Sequence, residues 1–190
     1  MNDGNSSDEW LMGQVAQGSQ LHLEQLLRRY ASPLLTYVQR MVGDRHRGEE
    51  VFQEVFLTVW LKRKQYKFPM RFRSWLFAIA TNRCRQHFRK ASSQGFVQVD
   101  DLDAVDPTTS THRSGDAAMD AETVQMVQQA VAALPPQQRS VVVLRTWNGL
   151  SYREIAEITG CAEATVRSYM HHALVSLRRC LQTTLRPDDA

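Results

Sequence analysis

Between Ser151 and His172 the apolar positions fall into two short blocks on either side of Gly160, and each block repeats at helical spacing. In the first block Ile155, Ala156 and Ile158 share one side, and Ser151 followed three residues later by Glu154 has the pattern of a capping box, so a helix is predicted to start there. Thr159-Gly160 predicts its end, because glycine accepts the left-handed backbone that a helix stop demands. A second helix is predicted from near Ala162. Its apolar stripe is Val166, Met170, Ala173, Leu174, Leu177 and Leu181, which leaves Thr165, Arg167, Ser168, His171 and His172 outside or at the edge. Small Ala156, the turn at Gly160 and apolar Val166 are spaced as a helix-turn-helix needs. The same residues suit an ordinary helical hairpin in an all-α core, and on this segment alone both readings stand.

The N-terminal half shows helical periodicity throughout and no alternating pattern long enough for a strand, which predicts an all-α fold. DEWLMGQVAQG predicts a short first helix and LHLEQLLRRYASPLLTYVQRMVG a long second one, bent near Pro33 and closed by Gly43. In GEEVFQEVFLTVWLKRK, Phe52, Val55, Phe56 and Val59 form a core stripe, while Leu57 and Leu61 lie on the far side near Gln53 and Glu54. That second apolar side is either covered by another helix of the same unit or free to dock a partner. A fourth helix follows an aromatic and basic loop containing Pro69, with Trp75, Leu76, Ile79 and Ala80 as its buried stripe and Asn82, Arg85, Gln86 and Arg89 projecting elsewhere.

Charge changes this picture more than composition does. A net charge of +3 conceals ten Lys or Arg and no acid from Lys62 to Lys90, against seven acids and the single Arg113 from Ala91 to Glu122. The acidic stretch is rich in Ser, Thr, Asp and Gly with little apolar periodicity, so it reads as a flexible linker over 91–121 between helical units at about 7–90 and 122–184. In the basic stretch, cations interleaved with Tyr66, Phe68, Phe72 and Trp75 suit single-stranded nucleic acid, since Arg and Lys follow phosphates while rings stack on bases. A basic, solvated helix whose aromatics are simply core is the other reading. With 190 residues the chain can hold one ordinary domain or two small ones. No apolar run approaches the ~20 residues of a membrane span, and the acidic start is unlike a signal peptide. Cys84, Cys161 and Cys180 lie far apart without zinc spacing and read as reduced thiols of a cytoplasmic protein; Cys180, His171 and His172 supply no ordered ligand set, so no metal or other cofactor is expected.

Three segments, GEEVFQEVFLTVW, FRSWLFAIATNRCRQHFRK and ALPPQQRSVVVLRTWNGLSYREIAEITGCAEATVRS, resemble the extracytoplasmic-function sigma factors of bacterial RNA polymerase. With their order and the acidic linker they cover nearly the whole chain. The resemblance implies a first unit that binds the polymerase clamp and the minus-ten element, and a second that binds the flap tip and the minus-thirty-five element. It implies clamp contacts from Gln53, Glu54 and Leu57, and a specificity loop containing Tyr66 and Phe68. Asn82 would lie near the pocket for a flipped-out base, within a minus-ten surface that gathers Trp75, Arg85, Gln86 and Arg89. Arg167, Ser168 and His172 would face the major groove, with Thr165 and His171 beside them. Many members carry arginine where this chain has Tyr169, His172 and Leu174, so its reading helix is less basic than usual. Core RNA polymerase, promoter DNA and a restraining anti-sigma factor are the implied partners.

No glycine-rich phosphate loop, HExxH or nucleophile elbow supports an enzyme. A stand-alone DNA-binding regulator would not require the aromatic basic helix, a sigma-like decoy would not require base-reading residues, and a structural adaptor would require neither.

Overall fold

The computed structural model describes residues 6–93 and 116–185, and those residues are helical with no strand among them. Helix α1, Asp8–Ala16, starts where the Ser7 hydroxyl accepts from the Trp10 amide. Helix α2, Gln20–Val42, runs without interruption through Pro33 and stops at Gly43, whose φ of +79° is the left-handed conformation anticipated for that glycine. Helix α3, Arg45–Leu61, is capped by the Asp44 carboxylate accepting from the Arg47 amide. It crosses α2 at Gly48, where an added Cβ would stand 2.7 Å from Gln39 Cγ and 3.1 Å from Gln39 Cα, so the missing side chain sets how close the two helices come. A short 3₁₀ turn, Arg63–Gln65, leads through the basic loop to α4, Phe72–Ser93, and the Glu9 carboxylate of α1 accepts from the Phe72 amide at 3.2 Å, capping α4 from another helix.

The second half contains α5, Asp116–Ala132, α6, Pro136–Thr146, α7, Tyr152–Thr159, and α8, Glu163–Leu185. The anticipated capping box is present: the Ser151 hydroxyl accepts from the Glu154 amide, and the Glu154 carboxylate accepts from the Ser151 amide at 2.8 Å. Gly160, at φ +71°, makes the turn into α8. The acidic stretch expected to be a linker lies mostly outside the described residues; its last part, from Asp116, belongs to α5.

Leu11, Met12, Leu26, Leu34, Tyr37, Val55, Phe72, Leu76 and Phe77 are fully buried in a core that continues without a break into Val143, Leu144, Leu150, Ile155 and Val166. The two halves therefore pack on each other through α2, α4, α6 and α7. Helix α6 explains the continuity. Ser140, Val141, Val142, Val143 and Leu144 are all buried, so over more than one full turn this helix is covered on every side. Val141, Val143 and Leu144 join the main core, while Val142 joins a smaller cluster with Leu134 of the α5–α6 turn and Ala173 of α8.

Candidate nucleic-acid interface

On α3, Val55, Phe56 and Val59 are buried and Phe52 half-buried, as the core stripe predicts. Leu57 and Leu61 are 58% and 68% exposed, and Gln53 and Glu54 are exposed beside them. The far side of α3 is thus not covered by another described helix, which removes the packing alternative.

In the loop before α4, Tyr66 is half-buried, its hydroxyl donates to the Met70 carbonyl and its ring meets Trp75 edge-on at 5.3 Å. Partial burial, with Glu9 and Asp8 nearby, pushes the Tyr66 phenol up to about 12. Tyr66 is therefore a strut of the loop, whereas Phe68, 79% exposed, is its free ring. Asn82, Gln86 and Arg89 are exposed along α4. Arg85 is not: it is half-buried and donates to the Thr159 carbonyl at the end of α7, at 3.3 Å. Sequence periodicity could not anticipate that turn inward, because the acceptor lies 74 residues away. A groove of about 490 Å³ opens between loop and helices, lined by Pro69, Met70, Arg71, Ser74, Trp75, Ala78 and, from α7, Glu157. Ser74 is buried there with its hydroxyl unpaired.

On α8, Ser168, His171 and His172 are exposed, and Thr165 is half-buried. Arg167 is held within its own unit: its guanidinium lies 2.6 Å from Glu163 and 4.6 Å from the centre of the Tyr152 ring. The apolar stripe is Val166, Met170, Ala173 and Leu177. Leu174 departs from expectation and is 53% exposed, next to exposed Val175. It fits the three-and-four spacing from both Met170 and Leu177, but α6 meets α8 through Ala173 and leaves its neighbour to solvent.

Residues the sequence did not single out join the two halves. The Tyr37 hydroxyl of α2 lies 2.8 Å from Thr81 Oγ1 and 3.1 Å from Ser140 Oγ, all three buried. Asn148 Nδ2 donates to the Pro33 carbonyl at 3.1 Å, and the Arg40 guanidinium stacks 4.2 Å from the centre of the Trp147 ring. Arg139 of α6 donates to the Met41 carbonyl at 2.6 Å and to the Ala132 and Leu134 carbonyls, so one guanidinium serves the ends of α2 and α5. Burial lowers its pKa to about 10, which leaves it charged near neutrality. Arg71 reaches Glu154 at 3.3 Å, and Arg73 donates to the Asn148 carbonyl. Glu154 is held below the usual carboxylate range by the Ser151 hydroxyl and amide, with Arg71 and Arg73 adding to the effect. Among the described residues no helix is long and apolar enough to cross a membrane, and no group of three His, Cys, Asp or Glu is placed to hold a metal ion.

Two helical units, one with an outward apolar face and a basic helix and the other with a helix-turn-helix, define the class, and family comparison agrees. Residues 26–94 match Sigma-70 region 2 and residues 124–177 match Sigma-70, region 4. The chain is similar to the ECF RNA polymerase sigma factor SigL of Mycobacterium tuberculosis, with 32% identity over 158 residues, 83% of this chain and 87% of that protein. It is also similar to the RNA polymerase sigma-H factor of Pseudomonas aeruginosa, with 27% identity over 185 residues, 94% and 96% of the two chains. Its fold matches that of CnrH solved in complex with the cytosolic domain of CnrY, with a TM-score of 0.71 and 23% identity, covering 94% of this chain and 99% of that one. The chain belongs to the ECF sigma factors.

Proposed function

We propose that the chain binds core RNA polymerase and directs it to promoters, docking on the clamp through Gln53, Glu54 and Leu57 of α3. In this reading Phe68, Trp75, Asn82, Gln86 and Arg89 receive the opened minus-ten strand, with Tyr66 bracing the loop and Arg85 joining once it leaves Thr159. Ser168, His171 and His172 of α8 enter the major groove of the minus-thirty-five element, flanked by Thr165 and Arg167. Residues 7–90 and 122–184 act as the two reading units, with 91–121 joining them and the second unit also resting on the flap tip. Family membership supports the general role. The observation that carries the finer reading is the uncovered Leu57 and Leu61 beside Gln53 and Glu54, on a helix packed against α4, in a stretch without a single acid from Lys62 to Lys90.

The sigma factor RpoE of Bartonella quintana, whose fold this chain matches with a TM-score of 0.64, was solved in complex with the anti-sigma factor NepR, which supports adding a restraining anti-sigma protein to the partners of this chain. No catalytic step belongs to the reading; the chain acts in the cytoplasm, where it selects where polymerase starts.

Run-off transcription with purified core polymerase is the test. Starts confined to promoter sequences are the expected result, and duplex binding without any effect on core polymerase would favour a stand-alone regulator.

A further inference from the structure

We propose that Arg83 is a positioning residue for strand reading: it fixes the side-chain amide of Gln86 so that only N–H donors face the DNA, and thereby sets a preference for keto over amino bases at one minus-ten position. This rests on the reading in which Gln86 meets the opened strand.

The arrangement starts on α3. Thr58 is buried, and its hydroxyl donates to the Glu54 carbonyl at 2.6 Å, one turn back in its own helix. With its proton committed, the hydroxyl oxygen has only lone pairs left to offer, and Arg83 of α4 takes them: Nη2 donates at 2.8 Å and Nε at 3.2 Å. Two donors of one planar group on one oxygen fix the plane of the guanidinium. Its remaining nitrogen, Nη1, therefore has a set direction, and it donates to Gln86 Oε1 at 3.2 Å. The Glu54 carboxylate lies 3.7 Å from that same Nη1 and helps to keep the charge on this side. Arg83 is itself half-buried with all three guanidinium nitrogens engaged inside the protein, so it acts through Gln86 rather than on phosphate.

A guanidinium carries donors and no acceptor, so the atom of Gln86 that faces it is the amide oxygen. The NH2 end is left for whatever approaches this exposed residue. A free glutamine offers either end and bonds any base edge; one held by its oxygen offers donors alone. Thymine O4 and guanine O6 are acceptors, whereas adenine and cytosine carry an amino group at the equivalent place, which sets donor against donor. One hydrogen bond made or denied gives a roughly three- to tenfold preference.

The test uses the full chain with purified core polymerase on a promoter library randomised over the minus-ten element, with the transcripts sequenced. Gln86→Ala locates the position, by abolishing a keto preference there. Arg83→Lys keeps the charge without the rigid fork, and Thr58→Val removes the hydroxyl from a buried place beneath it. Both should lower the same preference about three- to tenfold, leave the other positions as in the parent, and change nothing further when combined with Gln86→Ala. A merely structural role would lower the unfolding midpoint and move no single base preference. The parent's preference kept intact in Arg83→Lys overturns the proposal, as does a change at a different position, which would mean that Arg83 touches DNA itself. A preference for amino bases lost in Gln86→Ala overturns it too. Loss of helix in Thr58→Val leaves Arg83→Lys to decide. If Gln86→Ala alters no position, the reading of Gln86 falls together with the proposal; if it alters one that Arg83→Lys leaves alone, only the proposal falls.

Discussion

The hydroxyl of Tyr37 stands between Thr81 and Ser140, 2.8 Å from one and 3.1 Å from the other, and so ties α2 to α4 within its own half and to α6 in the other. Tyr37→Phe leaves Ser140 buried without that partner, whereas Thr81 keeps its bond to the Phe77 carbonyl at 2.8 Å. The expected cost is about 1–3 kcal/mol. Adding Ser140→Ala should recover part of it, because the orphaned hydroxyl is gone. Urea unfolding of both single variants and the double gives the coupling directly; strictly additive changes would mean that the contact between halves carries no energy.

Cys84 lies fully buried beside this contact, and burial pushes its thiol up to about 12. The unfolded thiol titrates near about 8.5. Below that value both states hold the proton and the group is neutral to stability. Above it the unfolded chain loses the proton first, so stability should fall as pH rises from about 8.5 toward 12, and Cys84→Ala should remove the early part of that slope. Unfolding midpoints on either side of the lower limit test the sign. In the native chain a thiol reagent should label exposed Cys180 and spare Cys84.

Leu57→Arg should weaken binding to the polymerase clamp at least about tenfold, the loss of roughly one well-placed interface contact, with helical content and unfolding midpoint close to the parent's. A pull-down with the isolated clamp coiled coil reads the effect. Retention equal to the parent's, in a folded variant, assigns the face elsewhere.

His172→Arg separates base reading from general attraction. A guanidinium facing a guanine edge favours one base at one position by about 1–3 kcal/mol, whereas a phosphate contact strengthens all sequences alike and steepens the salt dependence. Selection from a library randomised over the upstream element, at low and high salt, gives both quantities. A uniform gain would place His172 against the backbone.

The parts of the fold legible in the sequence are those fixed by near neighbours. Ser151 and Glu154 are three residues apart, Gly43 and Gly160 end the helices they follow, and Val55, Phe56 and Val59 declare the inner side of α3 by spacing alone. The outward Leu57 and Leu61 were legible as a second apolar side, though whether anything covers them depends on the remaining helices. Contacts between the halves left no local signal. Ser140 and Tyr37 are 103 residues apart, and a serine before three valines gives no hint that its hydroxyl faces a buried phenol. Arg85 has the spacing of one more outward cation of a basic helix, and its acceptor on Thr159, 74 residues away, leaves no local signal. Leu174 shows the opposite error, since it keeps helical spacing and still has no helix over it.

The crossing at Gly48 divides the helix glycines into two kinds for anyone seeking a hardier chain. Gly13, inside α1, has nothing within 4 Å of an added methyl, so alanine there removes backbone freedom from the unfolded chain at no steric cost. Gly48 has Gln39 against it, backbone included, and the same exchange would wedge α2 from α3 at the base of the hairpin that carries Leu57 and Leu61. Helix propensity would recommend both exchanges equally. Protein engineers working on this chain would gain from the first and lose the alignment of an outward surface by the second.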